Sequence, residues 1–206
     1  MFIALALAAA TTMLPPMTLS VHATTSVPAK IIKQTLDEAA AVLRESGVTL
    51  MAEDDDCAGG PTRFVPSVLI HVMFDDTVIP SRPYALPIGW IDFDEYGDPM
   101  RRVHLSLANA TSLMEAAEGA ANASRMTVFE RNLRLSRALG RALAHELGHY
   151  LLSSKSHTKE GLMKAHHPAG DFLGVDRSAF EIDASQRALI AARLLRATTV
   201  STMDMR

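Results

Sequence analysis

Between Ala144 and His157 the chain reads AHELGHYLLSSKSH, which puts three histidines and one glutamate within fourteen residues. His145 and His149 are four positions apart. On a helix, four residues advance the axis by about 6 Å and turn it about 40° past a full circle. Both imidazoles therefore leave nearly the same face and can reach one metal ion. Glu146 follows the first histidine, so its carboxylate approaches a metal-bound water from the side without being a ligand. Zinc in such a site supplies Lewis acidity and lowers the pKa of its bound water toward ~7. Glu146 would take the proton from that water as general base and return it to a leaving amine. The chemistry implied is hydrolysis of a peptide bond.

Two imidazoles hold zinc weakly, and a catalytic site commonly has three protein ligands and a water. His157 follows the predicted helix after a short turn and fills the third place. Gly148 is expected to leave the helix surface open between the two histidines. Tyr150 should point about 100° away from His149 and reads as packing. A different class of function remains open with the same residues: a zinc-binding interaction module without turnover. Glu146 argues against it, because a purely structural site has no use for that carboxylate. The blandest alternative is a helix with surface histidines.

HELGH at His145–His149 resembles the zincin metalloproteases. A third histidine soon after the helix, followed by a methionine, is similar to the metzincin branch, whose pattern is HExxHxxGxxH with a later Met-turn. Here Leu152 stands at the glycine position, and His157 comes eight residues after His149, where the pattern has six. The two extra residues let Ser153 and Ser154 make the bend that glycine would make. Met163, in Gly161-Leu162-Met163, is the Met-turn candidate. The longer segment HELGHYLLSSKSHTKEGLMKA is also similar to small secreted bacterial proteins of uncharacterised function. The resemblance implies Zn2+ as cofactor, His145, His149 and His157 as its ligands, Glu146 as catalytic residue, and a peptide or protein as substrate. Elsewhere among zincins the third ligand is a carboxylate, so Glu181 and Asp171 stand as alternatives. His166 and His167 are further imidazoles, and His157 matches the metzincin order best. The implied fold is a small mixed sheet with an N-terminal helix and the zinc helix, and one strand of a hairpin at the sheet edge above the site.

The elements needed to position these residues are legible in part. Ile32, Leu36, Ala39, Ala40 and Leu43 recur at helical spacing, predicting a helix over 29–46 that stops at Gly47. Val48–Met51 reads as a short strand. Val68–Phe74, continuous and β-branched, reads as a buried central strand with His71 as a hydrogen-bonded core residue. Ile88–Phe93 and Arg102–Leu107 flank Asp94-Glu95-Tyr96-Gly97-Asp98-Pro99 as a hairpin, with His104 on the polar face. Thr111 or Ser112 would cap a short helix to Glu118. A long helix is predicted from about Thr127 to Leu152, with Phe129, Leu133, Leu139, Leu143, Leu147, Tyr150 and Leu151 on its apolar face. Residues 153–178 lack periodicity. Asp183 and Gln186 resemble a capping box for a last helix whose apolar face would hold Ile182, Leu189, Ala192 and Leu195. This order of elements predicts an α+β fold.

Composition agrees with a single domain. The chain has 206 residues, 48% of them hydrophobic and 21% charged, enough apolar material for one core. A net charge of −3 gives no footprint for nucleic acid, and no polybasic run would hold the chain to a membrane. The apolar run Phe2–Ala10 with Val21-His22-Ala23 resembles a secretory leader. On that reading residues 1–23 are a signal peptide, residues 24–206 are the metallopeptidase domain, and the mature protein is secreted or periplasmic without a stable membrane anchor. The single cysteine, Cys57, excludes an intramolecular disulfide and a cysteine zinc cluster. The acidic run Glu53–Asp56 lacks the ligand spacing of a calcium loop. Nothing in the sequence sets the oligomeric state.

Overall fold

The computed structural model describes residues 14–53, 68–76 and 87–203. The apolar run at 2–10, Cys57, most of the acidic run and the Gly59-Gly60-Pro61 turn lie outside the described residues. The described chain holds five strands and six α-helices. They are β1 (Met17–Ala23), α1 (Ala29–Arg44), β2 (Leu50–Ala52), β3 (Val68–Asp75), β4 (Gly89–Phe93), β5 (Pro99–Ser106), α2 (Leu107–Glu118), α3 (Ala120–Arg125), α4 (Val128–Leu152), α5 (Ala169–Leu173) and α6 (Ala184–Met203). The strands form one mixed sheet in the order β2-β1-β3-β5-β4. Only β4 runs antiparallel to its neighbour.

Period-two alternation decides which face of the sheet is buried. On β3, Val68, Ile70, Val72 and Phe74 are buried, and their registered partners Met17 and Leu19 on β1 and Val103 and Leu105 on β5 are buried with them. The residues between, Leu69, His71 and Met73, face the other way and are half-buried. His71 is therefore not a core residue: its Nδ1 lies 3.3 Å from His22 Nε2 on that outer face. His104, also on the outer face, stacks on Trp90 with ring centroids 4.6 Å apart and lies 3.2 Å from an Asp92 carboxylate oxygen. The inner face meets α1 and α4, which pack on each other. This is the α+β arrangement expected from the order of elements.

Several details differ from the sequence reading. Residues 17–23 form β1, paired with β2 on one side and β3 on the other. A domain starting at Thr24 would lack the strand that joins those two. The helix before Glu118 starts at Leu107, because the Ser106 side chain accepts the Asn109 amide and caps it five residues earlier than Thr111 would. Phe129, in the first turn of α4, is 58% exposed, its ring meeting the Lys30 ammonium of α1 at 5.2 Å rather than the core. Among the described side chains of α6 the buried apolar residues are Ile190 and Leu194, while Leu189 and Leu195 face solvent. Among the described residues no helix is long and apolar enough to cross a membrane.

Candidate metal centre

Local sequence defines α4. Thr127 caps it with a reciprocal pair of bonds: the Thr127 hydroxyl accepts the Glu130 amide at 3.2 Å, and the Glu130 carboxylate accepts the Thr127 amide at 3.0 Å. At the other end Ser153 adopts the left-handed conformation at φ 49°, the single non-glycine residue with positive φ among those described. This is the bend expected of Ser153, one residue after the position where the metzincin pattern has glycine. It turns the chain so that the Ser154 carbonyl comes back over the helix.

That turn orients a ligand. His149 Nδ1 lies 2.7 Å from the Ser154 carbonyl oxygen, and His145 Nδ1 lies 2.7 Å from the Leu162 carbonyl oxygen. A carbonyl only accepts, so in both rings Nδ1 carries the proton and Nε2 keeps its lone pair for a metal. His157 is exposed and completes the group, its ring centroid 5.3 Å from that of His145 and 4.9 Å from that of His149. One ligand atom from each of the three lies within 4.8 Å of the others, a span that small side-chain rotations close onto one ion. Three neutral imidazoles around an open position are the donor set that suits catalytic zinc. Burial pulls the His145 pKa down to about 4, against the Leu162 hydrogen bond, and lowers that of His149. Protons therefore compete little with a metal at these two rings near neutral pH.

Glu146 lies beside the group. Burial pushes its pKa up to about 7, opposed by a hydrogen bond from the Ile91 amide of β4. β4 is the edge strand of the sheet and runs along α4, as the resemblance implied for one strand of the hairpin. Between β4, α2 and the segment after His157 a cleft of about 800 Å³ opens over His145, Glu146 and His149.

Beneath the ligands, Met163 is buried against Gly148 so closely that a Cβ on the glycine would overlap its sulfur. Gly148 does not leave an open surface as expected; the methionine fills it. The Met163 segment is tied on both sides. The Thr158 amide donates to the Met163 carbonyl at 2.8 Å, and the Leu162 amide donates to the Glu181 carbonyl at 2.9 Å. Gly161 takes φ 74° where a side chain would strike that same Glu181 carbonyl.

The alternative ligands lie elsewhere. The Asp171 carboxylate is 3.5 Å from His167 Nδ1, and the exposed Glu181 side chain lines a separate cleft. His166 is exposed at the rim, and His167 is buried, stacked on Phe180 with centroids 4.3 Å apart. Tyr150 packs in the core under Arg193.

Sequence reasoning missed four contributors. Three of them, the Leu162 and Ser154 carbonyls and the Ile91 amide, are backbone groups, which residue type does not announce. The fourth is an ion-pair cluster under α4. Arg141, fully buried, donates to Glu38 at 2.9 Å and also to the Asp171 carbonyl, while Arg177 donates to the same Glu38 at 2.6 Å. Arg141 is one turn before His145 on the same face, and a charged residue in that stripe was the available signal.

No family model matches the sequence, and no curated protein matches it. Solved structures do match. Archaemetzincin from Methanopyrus kandleri superposes with a TM-score of 0.50 at 12% identity, covering 90% of this chain and 98% of that one. A zinc-dependent peptidase from Methanocorpusculum labreanum superposes with a TM-score of 0.52 at 13% identity, covering 84% of this chain and 99% of that one. At such identities the likeness is one of fold. It agrees with the zincin-like architecture and with a three-histidine cluster of the zincin kind.

Proposed function

We propose that this chain is a zinc-dependent peptidase, its metal held by His145, His149 and His157 and its general base Glu146. The observation that carries the reading is the convergence of three histidine donors within 4.8 Å. When bound, zinc supplies Lewis acidity and a water acidic enough to lose its proton near neutral pH. The Leu162 and Ser154 carbonyls hold two of the rings in the ligating tautomer. Glu146, kept basic by burial and steadied by the Ile91 amide, is placed to accept a proton at its carboxylate and pass it to a leaving amine. The outer edge of β4 offers backbone groups with which an extended peptide can pair across the cleft. The names of the two similar structures, one of them a zinc-dependent peptidase, support the same reading.

Metal analysis and a peptide digest test it together. The purified protein is expected to carry stoichiometric zinc and to cleave peptides in a chelator-sensitive way. Glu146→Gln should keep the zinc and lose turnover, and unchanged turnover in that variant overturns the assignment of the base. His157→Ala should lower zinc occupancy sharply, whereas full occupancy would move the third ligand elsewhere. Export belongs to the proposal as well, supported by the apolar run at residues 2–10. A leader ending at Ala23 would remove β1 with its buried Met17 and Leu19, so the proposal takes the leader to end upstream of Met17.

A further inference from the structure

We infer that Lys155 selects substrates with an acidic side chain on the Phe93 side of the scissile bond, so that the cleft acts on acidic peptides. The inference deepens the peptidase reading and rests on it. The charged residues lining the cleft, histidines aside, are Glu146, Lys155 and Lys164. Glu146 is committed to the chemistry. The remaining fixed charge of the cleft is cationic, in a chain whose net charge is −3. A cleft lined by one sign of charge between apolar walls concentrates ligands of the opposite sign.

Position gives the direction. β4 runs along α4, with Gly89 beside Ala142, the Ile91 amide at Glu146, and the Phe93 ring edge-on to His149 with centroids 6.0 Å apart. At the Ala142 end the cleft is walled by Ile88, Leu113, Ala116 and Phe172 and is apolar. At the Phe93 end stands Lys155, its Nζ 4.7 Å from the Phe93 ring centroid. The ring face holds the ammonium in place and strips some of its water.

Lys155 makes no ion pair with any described carboxylate. Two acids of the neighbouring β4–β5 turn, Asp94 and Asp98, have other partners. One Asp94 oxygen accepts the amides of Tyr96 and Asp98 at 3.0 and 2.8 Å, and one Asp98 oxygen accepts the Ser153 hydroxyl at 3.4 Å. Lys155 lies in the connection between His149 and His157 that is two residues longer than the metzincin pattern. The lengthened turn, reversed at Ser153, carries the cation to the cleft.

A peptide library with defined scissile bonds, digested by the zinc-loaded protein and read by mass spectrometry, tests this. The wild type should prefer Asp or Glu over Gln at one position on one side of the cut, by about fivefold in kcat/KM, the size of a partly exposed ion pair. Lys155→Ala should lose that preference with zinc content and melting temperature unchanged. Lys155→Glu should reverse it toward Lys or Arg. Equal cleavage of acidic and neutral peptides by the wild type, or a preference kept in Lys155→Ala, overturns the inference and leaves the peptidase reading standing. No cleavage of any peptide by the zinc-loaded wild type overturns the peptidase reading, and this inference with it.

Discussion

The Met163 sulfur occupies the space that a side chain at position 148 would need, so the residue below the ligands and the glycine between them are one packing unit. The contact places the segment after His157 under α4. It also fixes the height of the Leu162 carbonyl that orients His145. Gly148→Ala should push Met163 aside and cost about 1–3 kcal/mol of overpacking strain. Met163→Ala should cost about 2–4 kcal/mol as a cavity. Because the two residues touch, the double variant should be more stable than the sum of the single effects by at least about 0.5 kcal/mol. Urea unfolding of the four proteins gives the coupling, and strict additivity would show that the contact is not formed.

The Glu38 cluster makes a second prediction. Arg141 is fully buried, one of its terminal nitrogens has no partner, and Glu38 neutralises it from α1. Glu38→Gln leaves a buried cation uncompensated and should destabilise the fold by about 3–5 kcal/mol. Arg177 touches the same carboxylate but is half-exposed, so Arg177→Ala should cost no more than about 1 kcal/mol. Denaturant midpoints compare the two. Equal losses would mean that Arg141 has another counter-charge.

How much of this was readable in advance follows from what each residue type announces. The ligand pair and Glu146 were legible because helical spacing alone puts His145 and His149 on one face. β3 and the hairpin were legible from β-branched runs and turn residues. The role of Ser153 was legible only through comparison with a pattern whose glycine falls one residue earlier, at Leu152. β1 was hidden because a seven-residue strand with buried Met17 and Leu19 reads, after an apolar run, as the end of a leader. The faces of α6 were misread because its apolar residues are spread around the helix and tertiary contact chose Ile190 and Leu194. Carbonyls that orient the ligands have no sequence signature at all.

The place of β1 in the sheet gives a third prediction. Residues 15–206 and residues 24–206 are to be expressed separately. The shorter chain loses the strand between β2 and β3 and leaves the backbone edge of β3 from Val68 to Phe74 without its partner. It should show no cooperative thermal transition, whereas the longer chain should melt cooperatively. Equal melting of the two would mean that β1 is dispensable and would restore the boundary at Thr24. N-terminal sequencing of protein recovered from its native host should accordingly find a first residue no later than Met17.

The titration of the metal-free site is the last prediction, and its sign needs both carboxyl and imidazole. The unfolded histidine takes up a proton near pH 6.5, while folded His145 resists until about pH 4. Between those values the unfolded state binds more protons, so this group makes stability rise with pH. Glu146 acts the other way. Folded, it holds its proton up to about pH 7, whereas the unfolded carboxyl releases it near 4.5. Between those values the folded state binds more protons, and this group makes stability fall as pH rises. In the shared window, pH 4.5 to 6.5, the two slopes oppose each other. His149, also lowered by burial, adds to the rising side, so the chelated wild type should show a melting temperature that rises less steeply there than that of a variant without the Glu146 carboxyl. Glu146→Gln removes the falling contribution and leaves the histidine slope, about 2 kcal/mol across the window after discounting for the partial exposure of His145. Its melting temperature should rise by several degrees from pH 4.5 to 6.5, measured by calorimetry with chelator present. A wild type that rises as steeply as the variant would show that Glu146 is already ionised in the folded metal-free protein.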